Sequence, residues 1–300
     1  MLQVRRAIMG RIAIVTDSSA NLPAELIEKH GIHVVPLKIA FGERVFRDGV
    51  DITPEEFYRM LRETDDPPVT SQPSPGEFEE LYACLAPEAE AIVSIHISGG
   101  LSGTISSALA AREAMPTLPI HVVDSRTTSI ALGFIVLEAA QVAAAGGTLD
   151  EVLAKAREMI PKVTIYGVLD TLEYLRRGGR IGRAASLLGS MLRIKPIFYL
   201  NDGVVDALEK PRTKARAVRR MVEIMAERVG AEPVRVAVLH ADVPDEAERL
   251  REEVASRFRC LEEPLVVELT PVLGAHAGPG VLGLAYYAKG QKLAGFGQRA

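Results

Sequence analysis

Cysteine is scarce in this chain of 300 residues: only Cys84 and Cys260 occur, far apart and in no Cys-x-x-Cys or Cys/His spacing. That excludes a disulfide framework, gives no reason to expect a zinc site, and fits a reduced cytoplasm. A strong charge of one sign is lacking too. Lys plus Arg number 35 against 39 Asp plus Glu, a formal net charge of -4, so the chain as a whole is a poor electrostatic match for nucleic acid. The most apolar stretch, residues 130–145, is interrupted by Glu138 and Gln141 and is too short for a membrane span. No Gly-x-x-x-x-Gly-Lys-Ser/Thr loop occurs, so no nucleotide site of the chain's own is expected. The opening MLQVRRAIMG carries Arg5 and Arg6 but not the apolar run of a secretory signal; it reads as a frayed extension, with Met9 an alternative start.

What is present is α/β pattern throughout. At this length two domains are the simplest division. Residues 91–115, AIVSIHISGGLSGTISSALAAREAM, read as a buried strand, a turn rich in glycine and hydroxyls, and a helix opening near Ser102. Free N–H groups and the positive dipole end of such a helix point into the crevice beyond the strand, which suits an anion. Ser98, Ser102 and Thr104 stand beside those amides, and Gly99, Gly100 and Gly103 let a ligand approach the backbone.

Along the chain, RIAIVTD is a first buried strand. Asp17 at its end lacks the Asp-x-Asp partner of a phosphatase-like site and reads as a structural acceptor for turn amides. Residues 22–30 form a helix stopped by Gly31, residues 32–41 a second strand, and GERVFRDGVD a hairpin turning at Asp48-Gly49. Thr53, Ser74 and Thr148 each open a capping box. Thr70 and Ser71 are hydroxyls upstream of the second box, a pair that capping alone does not require. The helix over 130–145 is apolar almost all round, so it must be buried, and it is the first place to look for the wall of an apolar site.

From Lys162 the pattern restarts, placing one domain over residues 11–161 plus 274–288 and a second over 162–273. The second contains a strand, a helix, a Gly-Gly break, another helix, and a hairpin turning at Asn201-Asp202-Gly203. The basic run of residues 210–220 leads a further helix; it reads as a solvated face or a dock for a phosphate-bearing partner. Near the end, GAHAGPGVLGLAYYA crowds four glycines and a proline around His276, which reads as a tight turn. If the last strand returns to the first sheet, His276 comes close to Ser102.

The ordered set IVTDSSANLP, TSQPSPGEF, SGGLSGTISSA, VDS, LEYLRRGGRIG, KPRTKARAV and GAHAGPGVLG resembles the DegV family across nearly the whole chain. These are fatty-acid-binding proteins that serve as acyl-carrying subunits of bacterial fatty acid kinase. The resemblance implies an open Rossmann-like sheet in the first domain, holding the acyl chain, and a smaller mixed α/β sheet in the second. It implies that Thr70 and Ser102 hold a fatty acid carboxylate such as that of palmitate, with Ser71 and Gly103 beside them and His276 close by. Arg180 would serve as a phosphate contact, and Arg212 and Arg216 as contacts to the kinase. No cofactor, metal or nucleic acid is implied, and no integral membrane segment, though transient membrane contact fits a lipid carrier. The expected role is presentation in the cytoplasm, with catalysis on a separate ATP-binding subunit. The rival reading is a serine hydrolase using Ser102 and His276, with Asp17 or Asp124 as orienter; the turn lacks the spacing of a Gly-x-Ser-x-Gly elbow.

Overall fold

The computed structural model of the chain describes residues 12–64, 66–190 and 194–288, so the expected frayed start lies outside the described residues. The first β-branched run forms strand β1 (Ile12–Asp17), followed by helix α1 (Ala24–His30), which Gly31 ends at φ 59°. The stretch expected to be one second strand is two. β2 (Ile32–Val35) and β3 (Lys38–Phe41) belong to different sheets. Between them Pro36 has no N–H to continue a ladder, and the Leu37 N–H donates instead to Ser18 Oγ. The first hairpin also turns elsewhere than expected: Phe41 pairs with Arg44 in β4 (Arg44–Arg47), across Gly42 at φ 58°. Asp48-Gly49 lies past that hairpin, where the buried Asp48 accepts the Val272 N–H.

Helices α2 (Pro54–Glu63) and α3 (Pro75–Leu85) both begin in complete capping boxes, at Thr53 and Ser74. Between them β5 (Val69–Ser71) joins β3 and β4 in a three-stranded antiparallel sheet that the sequence did not announce. Then come β6 (Ala91–His96), α4 (Thr104–Ala114), β7 (Ile120–Asp124), α5 (Ser129–Ala144) and α6 (Leu149–Met159), the last capped by Thr148 as expected. The strands order as β2-β1-β6-β7, all parallel. The winding reverses between β1 and β6, and the crevice beyond their carboxyl ends is where such sheets bind ligands.

The second half opens with β8 (Thr164–Val168) and α7 (Glu173–Arg177). After the Gly-Gly break the expected further helix is a 3-10 helix, Gly182–Ser190. The expected hairpin β9 (Ile197–Asn201) to β10 (Val204–Glu209) turns through Asp202 at φ 53° and Gly203 at φ 83°. Next are α8 (Lys214–Val229), β11 (Val234–His240), α9 (Pro244–Arg257), β12 (Leu265–Glu268), α10 (Pro271–Ala277) and β13 (Leu282–Ala288). β13 does not return to the first sheet. It lies between β8 and β11, antiparallel to both, in the order β10-β9-β8-β13-β11-β12. Every residue of β13 is buried, and a strand apolar on both faces is stable only at the centre of a sheet covered on both sides. This mixed sheet has six strands against four in the parallel one.

One face of the mixed sheet packs on α8 and α9, with Tyr166, Val238, Leu284 and Tyr286 in that core. The other face, with Phe198, Leu239, Ala285 and Tyr287, shares a core with α5 and the parallel sheet. Helix α5 is therefore held between two sheets, which is why it is apolar all round. Its one acidic side chain, Glu138, accepts the Tyr287 O–H at 2.6 Å and lies 3.9 Å from Arg235. Among the described residues no helix is long and apolar enough to cross a membrane.

Asp17 is the structural acceptor that its position suggested, in a larger network. Wholly buried, its carboxyl accepts the Ser19 N–H and hydroxyl, and the Ile97 N–H at 3.0 Å. It also bonds His96 Nδ1 at 3.0 Å, and the line continues from His96 to Ser94 at 2.6 Å and from Ser94 to the Tyr82 hydroxyl at 2.8 Å. Replacing Asp17 with Ala strands several buried donors, so unfolding free energy should fall by roughly 3 kcal/mol. Urea denaturation at pH 7 measures this, and a loss below about 1 kcal/mol would show that the network does not hold the two strand ends together.

Candidate functional site

Two loops and a short helix meet beyond the carboxyl ends of β1 and β6. After β6 the chain turns with the Leu101 and Ser102 N–H groups donating to Ser98 O at 2.9 and 3.1 Å. Ser98 itself is buried, its hydroxyl donating to Gly203 O of the second hairpin, so it fastens the turn and is not among the residues lining the cavity described below. Helix α4 starts at Thr104, two residues later than expected, behind an N-cap Gly103 that offers no side chain. Ser102 Oγ accepts the Thr104 N–H and shares a 2.8 Å hydrogen bond with Thr104 Oγ1. Such local hydroxyl bonding competes with the first helical turn. A Cβ on Gly103 would stand 3.0 Å from Gln72 Nε2, so the amide side chain of Gln72 lies over the turn.

His276 enters from another direction. Much of the glycine-rich segment around it is helix α10 rather than a tight turn, with Gly278 at φ 75° as its end. Asp48 holds the start of that helix through Val272, and α10 packs on α2, β3, β5 and α7. This brings His276 Nε2 to 2.7 Å from Thr70 Oγ1 on β5. Arg180, after the Gly-Gly break, donates from Nε to Leu101 O at 3.0 Å and from Nη1 to Gly178 O at 2.6 Å. No carboxylate pairs with Arg180 among the described residues.

These groups share one cavity, with about 1020 Å³ of space free of atoms, its open mouth included. Thr70, Ser71, Gln72, Ser102, Arg180 and His276 supply its polar lining in this region. The rest of the wall is overwhelmingly apolar: Leu37, Ile97 and Leu101 from the first half, Ile165, Phe198, Leu200, Val205 and Leu239 from the mixed sheet, and Val272 and Leu273 from α10. The cavity therefore lies between the two sheets, not inside the first domain as expected. Helix α5 is not its wall; only Thr128 and Ser129 at the helix start reach it.

Of the residues read from sequence, Thr70, Ser71, Ser102, Arg180 and His276 line this cavity and Gly103 adjoins it. Arg212 and Arg216 do not; they are exposed around the first turn of α8. Gln72 and the mixed-sheet wall went unread. The alternation of Ile165, Gly167 and Leu169 was the available signal for that wall. The hydrolase arrangement is not assembled: Ser102 bonds Thr104, His276 bonds Thr70, and His276 Nδ1 is buried with no partner. Asp17 is committed to His96, and Asp124 accepts the Gly99 and Arg126 N–H groups. Among the described residues no group of three or more His, Cys, Asp or Glu is placed to hold a metal ion.

The fold is thus an α/β scaffold with a cavity that is apolar over most of its wall and polar at one side. Comparison with known proteins gives the family. The model described as "Uncharacterised protein, DegV family" matches residues 11–289, and the chain belongs to that family. It is 43% identical over 274 residues to a DegV domain-containing protein of Streptomyces coelicolor, covering 91% of this chain and 97% of that one. A structure described as fatty acid binding of a DegV family protein from Thermus thermophilus superposes with a TM-score of 0.87 at 37% identity, over 93% of this chain and 99% of that one. That of DegV, a fatty acid binding protein from Bacillus subtilis, gives a TM-score of 0.87 at 35% identity, over 93% and 100%.

Burial, and after it the positive charge of Arg180, push the His276 imidazole from 6.5 down to about 4. It is neutral at pH 7. Unfolded, it binds a proton near its ordinary value, so between 6.5 and about 4 the unfolded chain holds more protons. Its contribution to stability is full above 6.5 and is lost as pH falls through this window. The His276 Cε1–H resonance should therefore stay unmoved from pH 8 to about 5; titration centred near the ordinary histidine value would show that the ring is not sealed from water.

Proposed function

We propose that the chain carries a long-chain fatty acid, palmitate being one, and presents its carboxylate to a separate ATP-binding kinase subunit in the cytoplasm. The observation that carries this reading is one cavity with an extended apolar wall and, at its polar side, Arg180 without a carboxylate partner beside Thr70, Ser102 and His276. Thr70 and Ser102 would hydrogen-bond the carboxylate, with Ser71, Gln72 and the Gly103 backbone around them. Charge-assisted bonds contribute about 1.5–3 kcal/mol each, whereas burial of about fifteen methylenes contributes roughly 12 kcal/mol before ordering costs. The wall thus supplies the affinity and the polar side sets the orientation.

The carboxylate and Arg180 are complementary charges, and phosphorylation adds negative charge at the same place. Arg180 would offset that charge, while Arg212 and Arg216, exposed on a different part of the surface, would meet the acidic or phosphate-bearing partner. His276, neutral, would act by hydrogen bonding through Thr70 rather than by charge. The kinase supplies the nucleotide and the catalysis in this scheme. Contact with a membrane would be transient, limited to loading and release.

Native mass spectrometry of the purified chain, followed by organic extraction, tests the carrier reading; one fatty acid per chain is expected, and failure to take up added palmitate would remove the proposal. The same measurement on Gly167→Leu reads the wall. Gly167 sits in the strand with no atom nearer than 3.7 Å to an added Cβ, so the larger side chain should enter the cavity and shift the preferred ligand shorter by roughly four carbons. An unchanged length distribution would place the acyl chain elsewhere.

The presenting role has its own test. Arg180→Ala should leave palmitate uptake within about threefold of the original, since methylene burial dominates, while kinase-dependent formation of acyl phosphate falls at least about tenfold. Equal phosphorylation of the two proteins would take Arg180 out of the scheme.

A further inference from the structure

We propose that Gly178 is a positioning residue that sets both His276 and Arg180, and that Tyr174 against Gly278 completes the contact between α7 and α10 on which this depends. The inference rests on the carrier reading for its consequence, not for its geometry. Gly178 ends α7 at φ -73° and ψ -8°, dihedrals that any residue adopts. Its lack of a side chain therefore has no backbone cause. The cause is the neighbour: a Cβ on Gly178 would stand 2.1 Å from His276 Nδ1 and 2.7 Å from His276 Cε1. Nothing but hydrogen leaves room for the ring.

The same residue acts on Arg180 through its carbonyl, which accepts the Nη1 hydrogen bond at 2.6 Å. The reverse contact is built alike. Gly278 ends α10, and a Cβ there would stand 2.3 Å from Tyr174 Cδ2. Each helix thus lays a ring on the terminal glycine of the other. Because His276 reaches Thr70 only when α10 is seated this way, a displacement at Gly178 propagates to the hydroxyl at the cavity.

The test uses the full chain with Gly178→Ala, His276→Ala and the double variant. In the ligand-free protein, Gly178→Ala should move the His276 Cε1–H resonance, and palmitate affinity should fall about tenfold, the usual scale of overpacking. In the His276→Ala background the ring is gone, and adding Gly178→Ala should change affinity by less than about twofold. Should Gly178→Ala alone fail to fold, a folded double variant carries the same conclusion and an unfolded one overturns it. An unmoved resonance, or equal losses in both backgrounds, also overturns it. A moved resonance in Gly178→Ala, with the unsubstituted chain taking up no palmitate, would instead sink the carrier reading and leave the positioning role standing.

Discussion

A helix that is apolar on every side has to be covered on every side, and α5 imposes that requirement on the rest of the fold. The parallel sheet covers one side, α1 and α6 flank it, and the mixed sheet closes the other through Ala285 and Tyr287. Burial of this kind stabilises at roughly 25 cal/mol per Å² of apolar surface, so the two sheets are joined by a shared core rather than by a linker. The Phe134 ring meets Tyr287 edge to face at 5.5 Å, and Tyr287 donates to the helix's one carboxylate. The covering runs over residues 129–140, with Glu138 half-buried, and lapses in the last turn, where Gln141 and Ala144 are exposed. Beyond Thr128 and Ser129 the facing surfaces of the two halves diverge, and the cavity occupies that space. Its wall belongs to neither sheet alone because the cavity is a consequence of their junction.

The polar side of the cavity follows from a second constraint, that charge and burial conflict. A protonated imidazole beside the Arg180 guanidinium in a water-poor site would add repulsion to desolvation. His276 is held neutral by both effects, which leaves Arg180 as the cation there. A neutral ring can give one hydrogen bond direction to Thr70 and no net field. In the proposed carrier role an amphipathic anion would meet a positive charge at one place and hydrocarbon elsewhere, so electrostatics would set its orientation and buried area its retention.

Local chemistry was legible in the sequence and long-range pairing was not. The capping boxes at Thr53, Ser74 and Thr148 and the Asp202-Gly203 turn depend on a few adjacent residues and formed as read. Asp48-Gly49 carries the same dipeptide signal, yet Asp48 is drawn inward to cap α10, a demand set by a residue more than two hundred positions away. β13 could not be assigned to a sheet from its pattern, since a run buried on both faces suits any central position. The site divides the same way: Thr70, Ser102, Arg180 and His276 were named through their motifs, whereas Ile165, Phe198 and Leu239 look like ordinary core until the opposing surface is known.

The glycines of the two late motifs follow the same division. Read locally, Gly178-Gly179 is a helix stop and the segment near His276 an unusually tight turn. In the fold, Gly178 takes ordinary helical dihedrals and Gly278 a left-handed one, so backbone freedom accounts for the second alone. What they share is a ring pressed against the missing Cβ. Two motifs separated by about a hundred residues are therefore one packing unit, and the pairing of Thr70 with His276 depends on shape at least as much as on the hydrogen bond between them.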